Sequence, residues 1–381
     1  MKARAPLRVL ILGTGNMANS HARLFQSDPR VRLAAAADVD AGRAAAFAAK
    51  HGIPKSFGSL DAALAWNQFE AVANVTPDAI HHPTTMKLIA AGKHVLCEKP
   101  LAVSFALADE MATAAERAGV VNMVNLSYRN VAALQAARAL IAAGELGEVR
   151  HVEASYRQSW LVGRHWGDWR SDDTWLWRLS EQHGSRGVLG DVGIHILDFA
   201  TYAIGMMPVS LQSRVKTFAK AEGNRIGAYV LDANDSASLQ VEFGNGALGV
   251  IHASRFMTGY ANVLKLDVFG TKGAVEINHG SEWTEIRVCS GEDVHRQAWR
   301  KLKADPVPTI HWRFVDAVLA QRNGEPSFRR GAELQAILDA CLSPEATGAA
   351  PVKGKPPQRS KPALRKAVSA GSPSRSGRSK P

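Results

Sequence analysis

Short apolar runs alternate with longer alanine-rich segments over roughly the first third of the chain. The apolar runs have the length of buried strands, and the segments between them repeat apolar residues at the spacing of a helix face. Strands that alternate with helices predict βαβ units and therefore a parallel sheet. The predicted strands are 7–12, 33–37, 71–75, 94–97 and 120–124, and the predicted helices are 16–27, 42–51, 79–91 and 104–118.

The pattern changes after residue 128. A helix over 131–143 and a strand over 148–158 come first, and a tryptophan-rich stretch follows. Farther on, β-like runs are separated by short turns such as Gly244-Asn245-Gly246, an arrangement typical of hairpins. We therefore predict a second domain with a mostly antiparallel sheet, closed by two final helices. The β-like runs are 210–217, 236–243, 247–256, 263–269 and 274–277, and the final helices are 308–321 and 331–342.

At 381 residues, of which 46% are hydrophobic, the chain is long enough for two domains with sizeable cores. Beyond residue 343 the composition shifts to Pro, Ser, Gly, Lys and Arg, with almost no large apolar side chains. Such a segment cannot bury enough surface to offset the entropy that it loses on ordering. The predicted organisation is a first domain over 1–124, a second over 125–342 and a disordered basic tail over 343–381.

The formal net charge of +11 suggests a nucleic-acid partner, but the distribution of the charge argues against one. Nine basic residues and no acidic ones lie between 351 and 381, and without these nine the rest of the chain carries only +2. A solvated, nonspecific tail is the preferred interpretation. Weak contact with a nucleic acid or an anionic surface stays open as an alternative for the tail alone.

The sequence gives no indication of a membrane, disulfide or metal protein. No apolar run approaches the roughly 20 residues of a bilayer span, and the N-terminal run is too short for a signal peptide, so we expect a cytoplasmic protein. Cys97, Cys289 and Cys341 show no paired spacing, which argues against disulfides and a zinc site. His81 and His82 are adjacent, but no further ligand follows them at metal-binding spacing, and no metal is expected.

A glycine-rich turn, Gly13-Thr14-Gly15-Asn16-Met17-Ala18, follows the first strand. Glycines at such a turn let the backbone approach a pyrophosphate, whose negative charge then faces the helix N-terminus. Asp38 ends the next strand, at the separation expected for a carboxylate that binds the adenosine ribose. We therefore predict a Rossmann domain that binds NAD, and the neighbouring Arg43 keeps NADP open as an alternative.

Three further motifs follow in order along the chain. With the glycine turn, they strongly resemble the glucose-fructose oxidoreductase, inositol dehydrogenase and rhizopine-catabolism (Gfo/Idh/MocA) family. The resemblance covers residues 7 to about 342 and is specific for the family, but it says little about the substrate. The motifs are Thr76-Pro77-Asp78 with His81, Glu98-Lys99-Pro100, and Gly190-Asp191-Val192-Gly193-Ile194-His195.

The resemblance implies an α/β fold in which the Rossmann domain is joined to an α/β domain with a large, mostly antiparallel open sheet. The active site then lies in the cleft between the domains, where a ring hydroxyl of a sugar or cyclitol is oxidised. The sheet face would form a homodimer or homotetramer. In the family pattern Lys99, Asp191 and His195 match the catalytic residues, and Arg129 falls at a substrate-side position. The predicted cofactor-binding residues are Gly13, Gly15, Asn16, Met17, Asp38, Thr76, Pro77, His81, Glu98 and Lys99.

Hydride transfer from an alcohol needs a base for the hydroxyl proton and a donor that stabilises negative charge on the oxygen. Asp191 and His195 are four residues apart at the start of a predicted helix, so they would share one face and the carboxylate could orient the imidazole. The helix N-terminus would keep His195 neutral, while the carboxylate would favour its protonation. Lys99 follows a parallel strand, where open α/β sheets bind ligands.

Five of the nine tryptophans lie within 18 residues, interleaved with charged side chains. Indole faces pack against sugar rings, and charged neighbours can bind hydroxyls. Packing or an oligomer interface explains the same residues equally well. We predict that Trp160 or Arg157 lines the substrate pocket, in addition to Lys99, Arg129, Asp191 and His195. The five tryptophans are Trp160, Trp166, Trp169, Trp175 and Trp177.

Three functions are compatible with these observations. The first is an NAD(P)-dependent dehydrogenase that oxidises a ring hydroxyl of a sugar, glycoside or cyclitol. The second is a glycoside-cleaving enzyme that uses bound NAD transiently, and the third is a sugar- or nucleotide-sensing regulator without catalysis. The presence of Lys99, Asp191 and His195 favours an enzyme.

Overall fold

The first sheet of the protein is parallel and has six strands. The structure is a computed structural model and describes residues 5–343. The strand order is β3-β2-β1-β4-β5-β6, so the chain reverses direction across the sheet beside β1. The elements are β1 Leu7–Leu12, α1 Ala18–Gln26, β2 Val31–Ala37, α2 Ala41–His51, β3 Ser56–Phe57, α3 Leu60–Trp66, β4 Ala71–Asn74, α4 Asp78–Ala90, β5 His94–Cys97, α5 Phe105–Ala118 and β6 Asn122–Val124.

The central strands of this sheet are buried almost throughout, which explains why they are nearly continuous apolar runs. Their carboxyl ends lie at one edge, and the loops that follow β1, β2, β4 and β5 meet there. The prediction of a parallel sheet is confirmed. The short β3 and α3 were not predicted, because two strand residues and seven helical residues give too little periodicity.

The second sheet has eight strands in the order β16-β15-β14-β13-β7-β12-β11-β8. All neighbours are antiparallel except β7 and β12, so the predicted mostly antiparallel sheet is confirmed. The strands are β7 Val149–Arg157, β8 Pro208–Lys216, β11 Ser236–Phe243, β12 Leu248–Ser254, β13 Val263–Gly270, β14 Gly273–His279, β15 Thr284–Ser290 and β16 Arg300–Leu302, and a separate hairpin contains β9 Arg225–Ile226 and β10 Tyr229–Val230.

Helices cover one face of the second sheet. On β13, Leu264, Leu266 and Val268 point to this face and are buried, whereas Lys265 and Asp267 alternate with them on the other face. α6 contacts β14 and β15, α8 contacts β7, β12 and β13, and α11 contacts β8. The helices of this part are α6 Ala132–Ala142, α7 Asp173–Leu176, α8 Ile194–Ile204, α9 Glu292–Arg296, α10 Ile310–Ala320 and α11 Phe328–Cys341.

α11 begins three residues before its predicted start at Gly331. Ser327 caps the helix by accepting a hydrogen bond from the backbone N–H of Arg330, and Gly331 lies inside it. A Cβ at Gly331 would lie 2.8 Å from Val124 and 2.9 Å from Leu101, so this glycine permits close packing and does not break the helix. β15 was also not predicted, because charged residues alternate with its buried ones.

The two final helices do more than close the second sheet. α11 also packs against α5, and α10 packs against α1. His311 of α10 contacts His21 of α1, with 3.1 Å between His311 Nε2 and His21 Nδ1. The helices therefore connect the second sheet to the first. No helix among residues 5–343 is long and apolar enough to cross a bilayer. Apart from Ser343, the predicted tail lies outside the described residues.

Candidate active site

The glycine turn brings β1, β2 and β4 close together. Gly13 has φ +86°, and its N–H donates to the carbonyl of Ala37 over 2.8 Å. A Cβ at Gly13 would lie 2.7 Å from the carbonyl oxygen of Val75. By contrast, a Cβ at Gly15 would meet no atom within 4 Å, and Gly15, Asn16 and Met17 are exposed just before α1. This open backbone at a helix N-terminus fits a dinucleotide pyrophosphate.

Asp38 lies at the carboxyl end of the neighbouring strand, but the chain already occupies its carboxylate. The Thr14 N–H and hydroxyl donate to Oδ2 over 2.9 and 2.8 Å, and Arg43 donates to Oδ1 over 2.6 Å. Burial opposes the charged form, yet Arg43 and the backbone donors of Asp40 and Thr14 lower the pKa of Asp38 to about 2. Ribose hydroxyls would have to compete with Arg43, whose side chain is 58% exposed and can move.

His81 does not lie where a direct cofactor contact would require. It is fully buried, with Nδ1 2.9 Å from the Pro100 carbonyl oxygen and Nε2 2.7 Å from that of Thr76. Carbonyl oxygens only accept hydrogen bonds, so both nitrogens donate and the ring is an imidazolium. Burial alone would lower the pKa of His81, but Cys97, Asp78 and the Pro100 carbonyl raise it to about 10. His81 therefore fastens the loop after β4 to the loop after β5.

The adjacent histidine does not suggest a metal site. His82 Nε2 lies 2.8 Å from Glu110 Oε2 in an exposed pair. Within residues 5–343, no three His, Cys, Asp or Glu side chains are grouped so that they could bind one metal ion.

The Glu98 side chain, predicted to contact the cofactor, has interior partners on both carboxylate oxygens. Its Oε1 lies 2.7 Å from His21 Nε2 and accepts a hydrogen bond from Asn125 over 2.5 Å. Its Oε2 accepts from the backbone N–H of Lys99 over 3.1 Å. Although burial opposes ionisation, His21, Asn125 and Lys99 hold the pKa of Glu98 well below its usual range. The Glu98 side chain thus anchors the Lys99 backbone from the interior.

Lys99 joins the two halves of the site. Its Nζ donates to the backbone oxygen of Asp191 over 2.8 Å and lies 3.4 Å from Asp191 Oδ1. Arg255 lies on the other side and donates to Asp191 Oδ2 over 3.1 Å. Burial opposes the charged form, but Lys99, Arg255 and Arg178 hold the pKa of Asp191 well below its usual range. Asp191 is therefore an ionised anchor paired with two cations.

His195 is the titratable group beside this ion pair. It follows a π-helical turn, Leu189–Gly193, and begins the regular helix α8 as its second residue. Its side chain is 7% exposed, and Nδ1 is buried with no partner among the described residues. Burial, and then the charge of Lys99, lower the pKa of His195 to about 3. The ring is neutral at physiological pH and can accept a proton.

The predicted orientation of His195 by Asp191 is wrong for this structure. The Asp191 carboxylate is bound by Lys99 and Arg255, and no hydrogen bond links it to the imidazole within the described part of the chain. The two cations explain the difference, because each already takes one carboxylate oxygen of Asp191. The edge of Tyr128 packs against His195 instead, with 4.9 Å between ring centroids.

A tyrosine and asparagine network was not predicted. The hydroxyls of Tyr128 and Tyr156 contact each other, and Tyr156 donates to Asn262 Oδ1 over 2.8 Å. Asn262 Nδ2 donates to the Tyr128 hydroxyl over 3.1 Å, and Gln158 also donates to Asn262 Oδ1. Tyr128 precedes the predicted Arg129, but Tyr156 lies on β7 and Asn262 immediately precedes β13, and the two show no shared spacing. Only the fold brings them together.

Asp78 is a further acidic group that the motif contained without an assigned role. It lies in the first turn of α4, with Lys99, Asp191 and Glu98 as charged neighbours. Burial raises its pKa, although His81 and Lys99 act in the opposite direction. Asp78 therefore adds a carboxyl group, whose ionisation burial disfavours, near Lys99 and Asp191.

The three predicted substrate residues outside the motif core each have partners within the protein. Arg129 is buried and forms two hydrogen bonds with Asp198, of 2.6 and 2.7 Å, so its guanidinium is committed within the protein. Arg157 follows Tyr156 on β7 and therefore points to the opposite sheet face. Trp160 is 3% exposed and packs in a small core whose other buried members are Leu161, Trp169, Leu176, Leu179 and Leu231.

Comparisons with known proteins agree with this architecture. Residues 7–126 match the profile of the oxidoreductase family with an NAD-binding Rossmann fold, and residues 134–276 match the GFO/IDH/MocA C-terminal domain. Levoglucosan dehydrogenase of Pseudarthrobacter phenanthrenivorans is 25% identical over 322 residues, which cover 79% of this chain and 80% of the relative.

Two other similar proteins cover most of the same region. D-glucoside 3-dehydrogenase of Escherichia coli is 29% identical over 252 residues, which cover 64% of this chain and 69% of the relative. The crystal structure of an oxidoreductase domain protein from Kribbella flavida superposes with a TM-score of 0.78 at 28% identity, covering 89% of this chain and 96% of that one.

Proposed function

Because the chain belongs to the Gfo/Idh/MocA oxidoreductase family, we propose that it oxidises a ring hydroxyl of a sugar, glycoside or cyclitol and uses NAD as the hydride acceptor. One observation carries the proposal. Lys99, at the carboxyl edge of the first sheet, contacts Asp191 of the second domain, beside the buried and neutral His195. A donor and a proton acceptor therefore lie at the same edge as the glycine turn.

NAD, when bound, supplies an acceptor for the hydride that leaves the carbinol carbon. In the proposed reaction, Lys99 Nζ donates a hydrogen bond to the hydroxyl oxygen and stabilises the negative charge that develops on it. His195 takes the hydroxyl proton through Nε2, since its other nitrogen, Nδ1, is buried. The carbon and oxygen are left as a ketone, so the hydride and the proton are both accounted for.

Asp191 has an electrostatic role in this scheme. It fixes the Lys99 ammonium through both its backbone oxygen and its carboxylate. Because it is already paired with two cations, we do not assign it the hydroxyl proton. The proposal thus assigns the anchor and the base to different residues.

The substrate class rests on the relatives. Two of them are named for levoglucosan and for D-glucosides, both of which contain a pyranose ring. We propose a substrate of this kind, and, on the family resemblance alone, a homo-oligomer formed through the sheet face that faces away from α6, α8 and α11. The Tyr128 and Tyr156 hydroxyls are polar groups beside His195 that could bind neighbouring ring hydroxyls.

The test is a screen of the purified full chain for NADH formation with NAD and a panel of aldoses, glycosides and cyclitols. Lys99→Met and His195→Ala should each lower kcat/KM on the best substrate by about 10²–10⁴-fold, while the Kd for NADH changes little. The Lys99 and His195 assignments fail if both variants keep near-normal turnover. Release of free sugar without net NADH would instead identify the glycoside-cleaving alternative.

A further inference from the structure

Arg255 is a fully buried arginine that the proposed reaction does not use. It follows β12 directly, and its side chain is 0% exposed. Burying a guanidinium is unfavourable unless a counter-charge and hydrogen bonds compensate for the lost water. The partners of Arg255 therefore indicate which group its positive charge stabilises.

Asp191 of the proposed active site is one of three groups that contact the Arg255 side chain. Nη2 donates to Asp191 Oδ2 over 3.1 Å, and Nη1 donates to the carbonyl oxygen of Arg178 over 3.0 Å. The guanidinium lies over the Trp160 ring, 5.1 Å from its centroid. Nε has no hydrogen-bond partner among the described residues. The Arg178 carbonyl and the Trp160 ring thus hold the guanidinium beside the Asp191 carboxylate.

A second buried ion pair lies behind Arg255. Lys220 Nζ and Asp235 Oδ2 are 2.6 Å apart and almost completely buried, and the backbone N–H of Arg255 donates to the backbone oxygen of Asp235. Positive and negative groups therefore alternate from Lys99 through Asp191 and Arg255 to this pair. Such an arrangement keeps Arg255 charged in spite of its burial.

A purely structural ion pair in the same domain has a different form. Arg129 binds both oxygens of Asp198, and both side chains are 3% exposed. Arg255 instead takes only one oxygen of Asp191, whose side chain is 31% exposed, and leaves the other oxygen for Lys99. Lys99 and Arg255 share the Asp191 carboxylate, so removal of either cation should change the interaction of this carboxylate with the remaining cation.

We propose that Arg255 is a positioning residue that fixes Asp191 through Oδ2, so that Asp191 holds Lys99 in place for the reacting hydroxyl. The inference rests on the proposed function, because it assigns a role within the same site. It also assigns a role to the tryptophan-rich segment, since Trp160 and the Arg178 carbonyl contact the Arg255 guanidinium and hold it in place. Asp191 is surrounded by Lys99, Arg178, Arg255, His195, Tyr128, Tyr156 and Asp78.

The expected pH dependence follows from these charges. Without the Arg255 cation, the carboxyl group of Asp191 binds a proton at higher pH than in the wild type, and a protonated Asp191 no longer anchors Lys99. With that cation gone, Asp191 rather than His195 should set the acidic limb of the kcat/KM profile, so the limb should move upward in Arg255→Met. We expect kcat to fall about 10²-fold, with the Kd for NADH unchanged. Arg255→Lys keeps a cation and should recover part of kcat and the original profile.

A readout that needs no substrate separates this inference from the proposed function. In protein labelled with ¹³C at aspartate carboxyls and assigned with Asp191→Asn, the Asp191 signal should titrate at higher pH in Arg255→Met than in wild type or Arg255→Lys. Circular dichroism gives the folded fraction for each variant. If no sugar is oxidised but this titration shift is present, the proposed function fails and the coupling of Arg255 to Asp191 stands.

Arg330 is the matched control, because it is a nearly buried arginine that binds a buried aspartate, Asp198, over 2.9 Å in the same domain. Arg330→Met should lower stability without moving the pH profile or the Asp191 titration. The inference is overturned if Arg255→Met lowers activity by the same factor at every pH, leaves the Asp191 signal unmoved, and is not improved by lysine. Those results would assign Arg255 to packing alone.

Discussion

The two sides of the proposed active site are built in different ways. On the cofactor side, each group follows a strand of the first sheet by a few residues, as Gly13 follows β1 and Asp38 follows β2. On the substrate side, Tyr156, His195 and Asn262 come from elements far apart in sequence. The strand order of the first sheet places the residues of the cofactor side, whereas the residues of the substrate side come together only when the second sheet has formed.

The electrostatics differ in the same way. The Asp38 carboxylate is balanced by Arg43, an exposed arginine that water can replace. The Asp191 carboxylate is balanced by Lys99 and the fully buried Arg255, where little water competes. Charges on the substrate side should therefore interact more strongly, because solvent screens them less. Changes on the two sides can test this contrast.

The largest effect is expected at the glycine turn. Gly13→Ala places a Cβ 2.7 Å from the Val75 carbonyl at φ +86°, so both the contact and the backbone are strained. We expect a loss of roughly 3 kcal/mol or more in unfolding free energy, measured by urea denaturation. Gly15→Ala is the matched control, since its Cβ meets nothing within 4 Å. It should fold normally and weaken NADH binding, and equal stability of the two variants would contradict the packing argument.

The junction between the two sides should respond to acid. Burial, and then His21, lower the pKa of His311 to about 3. A depressed pKa adds stability above the unfolded value of about 6.5, and this stability is lost as the pH falls toward 3. His311→Gln removes this titration. Between about pH 6 and 4, the unfolding free energy of the variant should therefore fall less steeply with decreasing pH than that of the wild type, and the two slopes should differ by about 1.4 kcal/mol per pH unit. Parallel stability curves for the two proteins would contradict a buried neutral His311.

The contrast also explains what the sequence could predict. The glycine turn, Asp38 and Lys99 were found because each is local to one strand end, and the parallel sheet places strand ends together. Arg255 and Asn262 carry no local signal, because their role depends on the register of β12 and β13 with β7. Even within a motif, spacing alone misjudged His195, because Lys99 and Arg255, which are distant in sequence, take both carboxylate oxygens of Asp191.

Packing adds information that spacing could not give. Glu98 and His81 belong to family motifs, yet both side chains bind interior partners and fix loops. Arg157 is next to Tyr156 in sequence but points to the other sheet face. A motif therefore identifies which residues the site needs, and only the packing decides which of them face a ligand.

A moderate effect is expected on the substrate side. Tyr128→Phe removes the hydroxyl that contacts Tyr156 and accepts from Asn262, while Tyr156 and Asn262 remain paired. We expect kcat/KM on the best sugar to fall about 10-fold, with the Kd for NADH unchanged. Tyr202→Phe is the control, because its hydroxyl binds Gln135 away from His195. A similar loss in both variants would show that the Tyr128 hydroxyl has only a packing role.

The smallest effect should come from the exposed cation of the cofactor side. Arg43 neutralises Asp38 and would also attract a 2′-phosphate, so it reduces the preference for NAD over NADP. Arg43→Ala frees Asp38 Oδ1 to accept from the ribose hydroxyls. The unneutralised negative charge of Asp38 would then repel a 2′-phosphate. We expect the ratio of kcat/KM for NAD to that for NADP to rise only about 3- to 5-fold, since solvent screens an exposed ion pair. Arg23→Ala, an exposed arginine on α1 that contacts Ser20, should leave the ratio unchanged. A change in this ratio of about 10²-fold, as large as the fall in kcat expected for Arg255→Met, would mean that solvent screens charges on the cofactor side no better than those on the substrate side.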